Sequence, residues 1–190
     1  MRLILASASP RRLDLLARIG LEVASVDPAH IDETPLKGEP AAGYARRIAA
    51  AKAAVVAPRH PGAVILAADT VVVAGRRILP KANDADEVRF CLKLLAGRRH
   101  RVLSAITVTD AAGVSRHRLS TTIVTFGPLS PAAIASYAES GEGVGKAGGY
   151  AIQGRAEAFV RQLAGSHSGV IGLPLFEARA LLIAAGLKLG

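Results

Sequence analysis

The sequence predicts an α/β fold with a mixed central sheet flanked by helices. Three observations carry this. Apolar strand patterns alternate with amphipathic helical patterns from the N-terminus onward. The run Ala63–Ala74 is apolar almost throughout, as in a strand buried on both faces. Two long strand patterns meet at Ala111-Ala112-Gly113, a hairpin signal that makes part of the sheet antiparallel.

Leu3–Ala6 is the first predicted strand, and Pro10–Ile19 the first helix, with Leu13, Leu15, Leu16 and Ile19 as its apolar positions. Ser9 suits the N-cap and Pro10 the first helical position. Arg11 and Arg12 follow, where a helix start prefers acidic residues. An anion bound at the turn Ser7–Arg12 would favour this arrangement; the alternative is a short helix with two solvated arginines. Leu21–Val26 reads as a second strand. Asp27–Pro40 is a polar loop with an acidic centre, Asp32-Glu33-Thr34-Pro35. Pro40–Ala57 is helical, with Tyr44, Ile48, Ala51, Lys52 and Val55 on one face. Lys52 therefore sits in an apolar stripe, either snorkelling from its edge or aimed at a bound anion.

Asp69 interrupts the strand Ala63–Ala74. A carboxylate there is costly unless paired or metal-bound, a structural turn cap being the alternative. Gly75-Arg76-Arg77 turns the chain into Ile78-Leu79-Pro80-Lys81. Asp84–Ala96 is a helix capped by Asp84. His100–Asp110 and Val114–Phe126 are long strands. Ser130–Ser140 is a helix with Ser130 as cap and Ile134, Tyr137 and Ala138 facing inward. Gly141–Gly154 is a glycine-rich loop, flexible or ligand-facing, that matches neither a Walker A loop nor a dinucleotide fingerprint. Ala158–Leu163 is a short strand, Gly165–Gly172 a second glycine-bearing loop, and Pro174–Ala185 the last helix.

Composition narrows the function. The 190 residues are half apolar, which suits one domain with a sizeable core or two tightly joined lobes. Apolar runs fall short of the ~18–20 residues of a membrane span, so no membrane partner is expected. The N-terminus enters a strand directly, so no secretory signal is expected, and a cytoplasmic setting is. The single cysteine, Cys91, excludes a disulfide within the chain and reads as a small core or surface residue. The net charge of +9 suits a polyanionic partner, a nucleotide or a nucleic acid, unless it reflects a general Arg/Ala bias. Seven aromatic residues that do not interleave with the basic ones make a base-stacking platform, and hence nucleic acid, the less expected partner.

Arg11, Arg12, Lys52 and Lys81 supply cations, and Glu33 and Asp69 supply carboxylates. That combination is what a triphosphate and a hard divalent ion require. The segments Leu3–Leu16 (LILASASPRRLDLL), Asp32–Pro35 (DETP), Tyr44–Ala53 (YARRIAAAKA), Ala67–Val72 (AADTVV), Lys146–Val160 (KAGGYAIQGRAEAFV) and Gly172–Leu175 (GLPL), in this order, resemble the Maf family, the septum-formation-inhibitor-like nucleoside triphosphate pyrophosphatases. One departure is Ala82, where the family usually places proline directly after the lysine.

The resemblance implies a single domain over residues 1–190, of Maf/ITPase-like architecture, with two lobes and a cleft between them. It implies hydrolysis of a nucleoside triphosphate to the monophosphate and pyrophosphate with a divalent cation, Mg or Mn. It implies Asp69 as proton acceptor, Arg12, Lys52 and Lys81 on the phosphates, Ser7 and Ser9 lining the phosphate turn, and Glu33 positioning metal or water. Asp69 and Glu33 are the implied metal ligands. In the 7-methyl-GTP branch an aromatic residue follows the Ser-Pro pair, Gln follows the strand aspartate, and Glu replaces a later Gln. Arg11, Thr70 and Gln153 stand at these positions here, which resembles the dTTP/UTP branch. An aromatic residue suits a cationic methylated purine, whereas an amide suits a neutral pyrimidine edge. Readings that stay open are a 7-methyl-GTP or broad-specificity enzyme, and a non-enzymatic nucleic-acid- or partner-binding regulator of septation. The family also implies a tie to cell-division arrest. The oligomeric state is open, with a homodimer as the working expectation.

Overall fold

The computed structural model describes residues 1–188. The chain divides into two compact units. The first holds Met1–Asp69, Ser104–Ser120 and the segment from Gly172; the second holds Thr70–Leu103 and Thr121–Ile171. Among the described residues a seven-stranded sheet runs in the order β2 (Ser25–Val26), β1 (Leu3–Leu5), β3 (Val64–Ala74), β5 (Arg99–Thr109), β6 (Ser115–Phe126), β7 (Val160–Ala164), with β4 (Arg77–Leu79) paired to β3. It is mixed, as the sequence predicts: β1 pairs in parallel with β2 and β3, whereas β4 on β3 and β7 on β6 are antiparallel.

In the first unit, β1 (Leu3–Leu5) leads to α1 (Pro10–Arg18), β2 (Ser25–Val26), α2 (Ala41–Val56) and the first part of β3 (Val64–Ala74). Register places Leu3, Ile4 and Leu5 opposite Val64, Ile65 and Leu66. Strand side chains alternate between faces, so Ile4 and Ala6 share a face with Ile65 and Ala67. These four pack with Ala53 and Val56 of α2 in one buried cluster. The buried stripe of α2 is Tyr44, Ala45, Ile48, Ala49, Lys52, Ala53 and Val56. The predicted face was turned slightly: Ala51 and Val55 lie at its margin, because the helix packs through its small alanines.

The predicted strand Leu21–Val26 shrinks to Ser25–Val26. Leu21 serves the end of α1 instead: its N–H donates to the Leu16 carbonyl and its side chain is buried, while the Ala24 N–H donates to the Leu3 carbonyl of β1. The parts of β5 (Arg99–Thr109) and β6 (Ser115–Phe126) from Ser104 to Ser120 also belong here, as does the last helix, α6 (Leu175–Ala184).

The second unit contains the rest of β3, β4 (Arg77–Leu79), α3 (Ala85–Leu95), the remainder of β5 and β6, α4 (Pro131–Glu139), β7 (Val160–Ala164) and α5 (His167–Ile171). Asp84 and Ser130 cap their helices as predicted, accepting from the N–H groups of Glu87 and Ala133. Cys91 is buried, and burial pushes its thiol up to about 11. Phe126, Tyr150, Phe159, Tyr137 and His100 meet edge-to-face, with centroid separations of 5.0 to 6.2 Å. Four of the chain's seven aromatic residues are therefore spent on this core.

Two expectations change in this unit, and the glycine-rich segment takes a fixed place in it. The glycine-rich segment is tightly packed: a Cβ at Gly148 would stand 2.8 Å from Val72, and the backbone there is left-handed (φ +69°). The loop Gly165–Gly172 contains the short helix α5, whose start is held by Ser166 Oγ accepting the Gly169 N–H at 2.9 Å. The strand expected over Ala158–Leu163 begins at Val160, after a 3₁₀ turn over Arg155–Phe159.

Candidate active site

In an open α/β sheet, ligands bind beyond the carboxyl ends of the strands, where the connections leave in opposite directions. In the first unit β1 lies between β2 and β3, so that point falls at its carboxyl end. The chain places its unusual residues there. The end of β1 runs into Ser7–Arg12, and the end of β2 runs into the loop that carries Glu33. Asp69 lies three residues beyond Leu66, the partner of Leu5.

Asp69 shares its face with Ile65 and Ala67, the face that α2 covers. It is 3% exposed. Lys52 stands in the same stripe of α2 as Ala53 and is also buried. Its ammonium donates to Asp69 Oδ1 at 3.0 Å and lies 2.9 Å from Glu33 Oε1. The lysine thus does not snorkel: it joins two carboxylates. Removing either side of such a buried pair leaves an uncompensated charge. Asp69 Oδ2 is buried with no hydrogen-bond partner. Such an atom is costly in a fold unless it serves catalysis or meets a water or an ion.

Ser9 occupies the N-cap of α1, with Pro10 next, yet its side chain makes no capping bond. The Ser7 hydroxyl accepts from the Ser9 N–H at 3.2 Å and from Arg12 Nη1 at 2.7 Å. Arg12 Nε donates to the Gly172 carbonyl at 2.8 Å. The Arg12 guanidinium is therefore held, not solvated. Burial pushes it below its ordinary value and Arg11 adds to this, while Asp69 and Glu33 favour its charged form. Arg11 is half-buried and is pushed down by burial as well. Arginine stays charged under both effects.

The Glu33 loop is strapped to α2 by residues that the sequence reading did not single out for this. Tyr44 donates its hydroxyl to the Glu33 carbonyl at 2.8 Å. Arg47 donates to both oxygens of Glu39 at 2.7 Å and to the Thr34 carbonyl at 3.2 Å. Glu39 in turn accepts the Leu36 N–H at 3.1 Å. The available signal was that a buried tyrosine needs a partner for its hydroxyl. Burial, Asp69 and Glu33 push the Tyr44 phenol up to about 12, so it stays a donor.

In the first unit Lys52 thus joins Glu33 and Asp69, and Arg12, bonded to Ser7, feels the charge of both carboxylates, with Ser9 and Arg11 on the same turn. Thr70, Lys81 and Gln153 belong to the second unit. Thr70 is half-buried on β3 directly after Asp69. Lys81 is exposed and bridges Ala147 in antiparallel fashion. The neighbouring Ala82 donates its N–H to the Lys146 carbonyl at 3.1 Å. Proline there could not make this bond, which gives the alanine a structural role. Gln153 is exposed on a turn.

Among the described residues no group of three or more His, Cys, Asp and Glu could hold a metal ion. No described helix is long and apolar enough to cross a membrane.

The parallel order β2-β1-β3 and the flanking helices make this an α/β protein, with the charged set at the carboxyl end of β1. The chain belongs to the Maf family: the Maf-like protein model matches residues 2–185. A relative from Rhodospirillum rubrum is 58% identical over 188 residues, 99% of this chain and 90% of that one. One from Paramagnetospirillum magneticum is 60% identical over 180 residues, 95% of both chains. One from Zymomonas mobilis is 61% identical over 184 residues, 97% of this chain and 91% of that one. All three carry the description dTTP/UTP pyrophosphatase.

Proposed function

We propose that the protein hydrolyses dTTP and UTP to the nucleoside monophosphate and pyrophosphate, removing them from the nucleotide pool in the cytoplasm. The observation that carries this is Asp69: a buried carboxylate with one oxygen tied to Lys52 and the other without a partner. Relatives of this identity described as dTTP/UTP pyrophosphatases support the substrate class. The chain acts in this reading as one domain over residues 1–190, with a homodimer as the proposed assembly. A link to cell-division arrest would follow from control of these nucleotide pools.

Water attacks the α-phosphorus, forming a P–O bond while the bond to the pyrophosphate oxygen breaks. Asp69 accepts the water proton, with Lys52 fixing the carboxylate on its other oxygen. Arg12, Lys52 and Lys81 neutralise the phosphates, and the hydroxyls of Ser7 and Ser9 line the turn that receives them. Glu33 orients the water. Arg11, Thr70 and Gln153 select the base, Gln153 through a carboxamide that both donates and accepts. Asp69 and Glu33 fit a hard divalent cation, Mg or Mn: both offer oxygen donors, and one such oxygen is buried without a partner. Two carboxylates suffice where substrate phosphates and waters complete the coordination. When bound, the cation neutralises charge that builds on the leaving pyrophosphate.

The test is the purified protein with Mg or Mn and a panel of nucleoside triphosphates that includes 7-methyl-GTP. Pyrophosphate release is expected, fastest with dTTP and UTP. Asp69→Asn should lower turnover by ~10²-fold or more with folding retained. Orthophosphate as the sole product, or near-normal turnover in the variant, removes the reading. Preference for 7-methyl-GTP keeps the reaction and overturns the base assignment.

A further inference from the structure

Glu142 stands in the glycine-rich segment and takes no part in the charged set described above. Its carboxylate is nonetheless engaged on both oxygens. Tyr137 of α4, 1% exposed, donates its hydroxyl to Glu142 Oε1 at 3.0 Å. The same hydroxyl accepts the Ala151 N–H at 3.0 Å. Glu142 Oε2 accepts the Arg155 N–H at 3.1 Å. Carboxylate and phenol thus grip both ends of the segment 151–155. Within it the Gly154 N–H closes a turn on the Ala151 carbonyl at 3.1 Å. A Cβ on Gly154 would stand 2.6 Å from the Glu142 carboxylate, so glycine there leaves room for the clamp. The middle residue of the gripped turn is Gln153, whose side chain is exposed.

We propose that Glu142 is a positioning residue for base selection. Together with Tyr137 it fixes the turn that presents the Gln153 carboxamide. This rests on Gln153 as a base-selecting residue. A carboxamide separates bases by offering its donor and acceptor in a set order, which requires a set backbone. A turn released at both ends lets the amide rotate and serve any base edge. The clamp therefore acts on which nucleotide binds and leaves phosphate cleavage alone.

The experiment compares steady-state kinetics with dTTP, UTP and CTP for the wild type, Glu142→Ala, Tyr137→Phe, Gln153→Ala and the double variant Glu142→Ala/Gln153→Ala. Glu142→Ala should raise KM for dTTP and UTP by ~10-fold, shift kcat by less than ~3-fold, and narrow the preference over CTP. The double variant should be no worse than Gln153→Ala, since the clamp works through that side chain. Tyr137→Phe, which removes one oxygen, should move KM in the same direction and carries the test should Glu142→Ala fail to fold. Unchanged preference in both clamp variants overturns the proposal, as does a loss that adds to that of Gln153→Ala or that appears in kcat. Unchanged preference in Gln153→Ala overturns the reading of Gln153 and the clamp's role with it. A wild type that cleaves no triphosphate overturns the proposed function itself.

Discussion

Lys52 is a charge in a helix stripe otherwise made of alanine, isoleucine and tyrosine, and it is tolerated because it arrives with its counter-charges. Asp69 comes from the strand under α2 and Glu33 from the loop beside it. Lys52→Met should cost about 3–5 kcal/mol of stability, since it leaves Asp69 buried and unpaired. Combining Lys52→Met with Asp69→Leu should recover most of that loss, because a buried pair replaced by apolar residues is near neutral. Hydrolysis should stay absent in both. Urea denaturation reads the stability, and an unchanged midpoint in Lys52→Met would show the pair to be idle. Both residues were legible in the sequence as charges out of place. Their pairing was not, because an apolar stripe reports burial and not partners.

At the scale of elements, the segment from Asp27 to Pro40 has neither helix nor strand, yet it must deliver Glu33 to Lys52. Its order comes from α2. Tyr44 holds the Glu33 carbonyl, and Arg47 holds Thr34 and Glu39. Tyr44→Phe should cost about 1 kcal/mol. It should also speed amide exchange in the segment 32–39 and lower turnover several-fold. Exchange rates equal to wild type would mean that the Arg47–Glu39 pair alone holds the loop. The sequence showed the loop and the helix but not the strap, whose partners lie 8 to 13 residues apart along the chain. The same holds for the second strand. Leu21–Val26 has strand composition, but Leu21 closes the end of α1, and only Ser25 and Val26 remain as a strand beside β1.

For the molecule as a whole, the order β2-β1-β3 sets where the site lies, and the aromatic cluster of the second unit carries a pH dependence. His100 is 2% exposed, packs edge-to-face on Phe126 and Tyr150, and shares a 2.9 Å hydrogen bond with the Tyr150 hydroxyl. Burial lowers it from 6.5 to about 4. The folded protein therefore keeps it neutral where the unfolded chain already binds a proton. Its contribution is full above pH ~6.5 and is lost as the pH falls toward ~4, about 3 kcal/mol over that window. Denaturation of His100→Gln and wild type at pH 7 and pH 4.5 checks this. The wild type should lose more stability on acidification than the variant, and equal losses would refute the assignment.

Periodicity and charge along the chain were enough for the class of fold, the order of most elements, and the residues that are chemically out of place. Asp69 in an apolar strand, Lys52 in an apolar stripe and two arginines at a helix start all follow from local periodicity and charge. The tertiary structure decided the partners. It gave Lys52 two carboxylate partners, seated Arg12 on Ser7 and Gly172, packed the glycine-rich segment, and made Glu142 the clamp of a turn. Local pattern encodes whether a side chain is buried. The group that satisfies it comes from a segment distant in the chain, and only the folded backbone brings the two together.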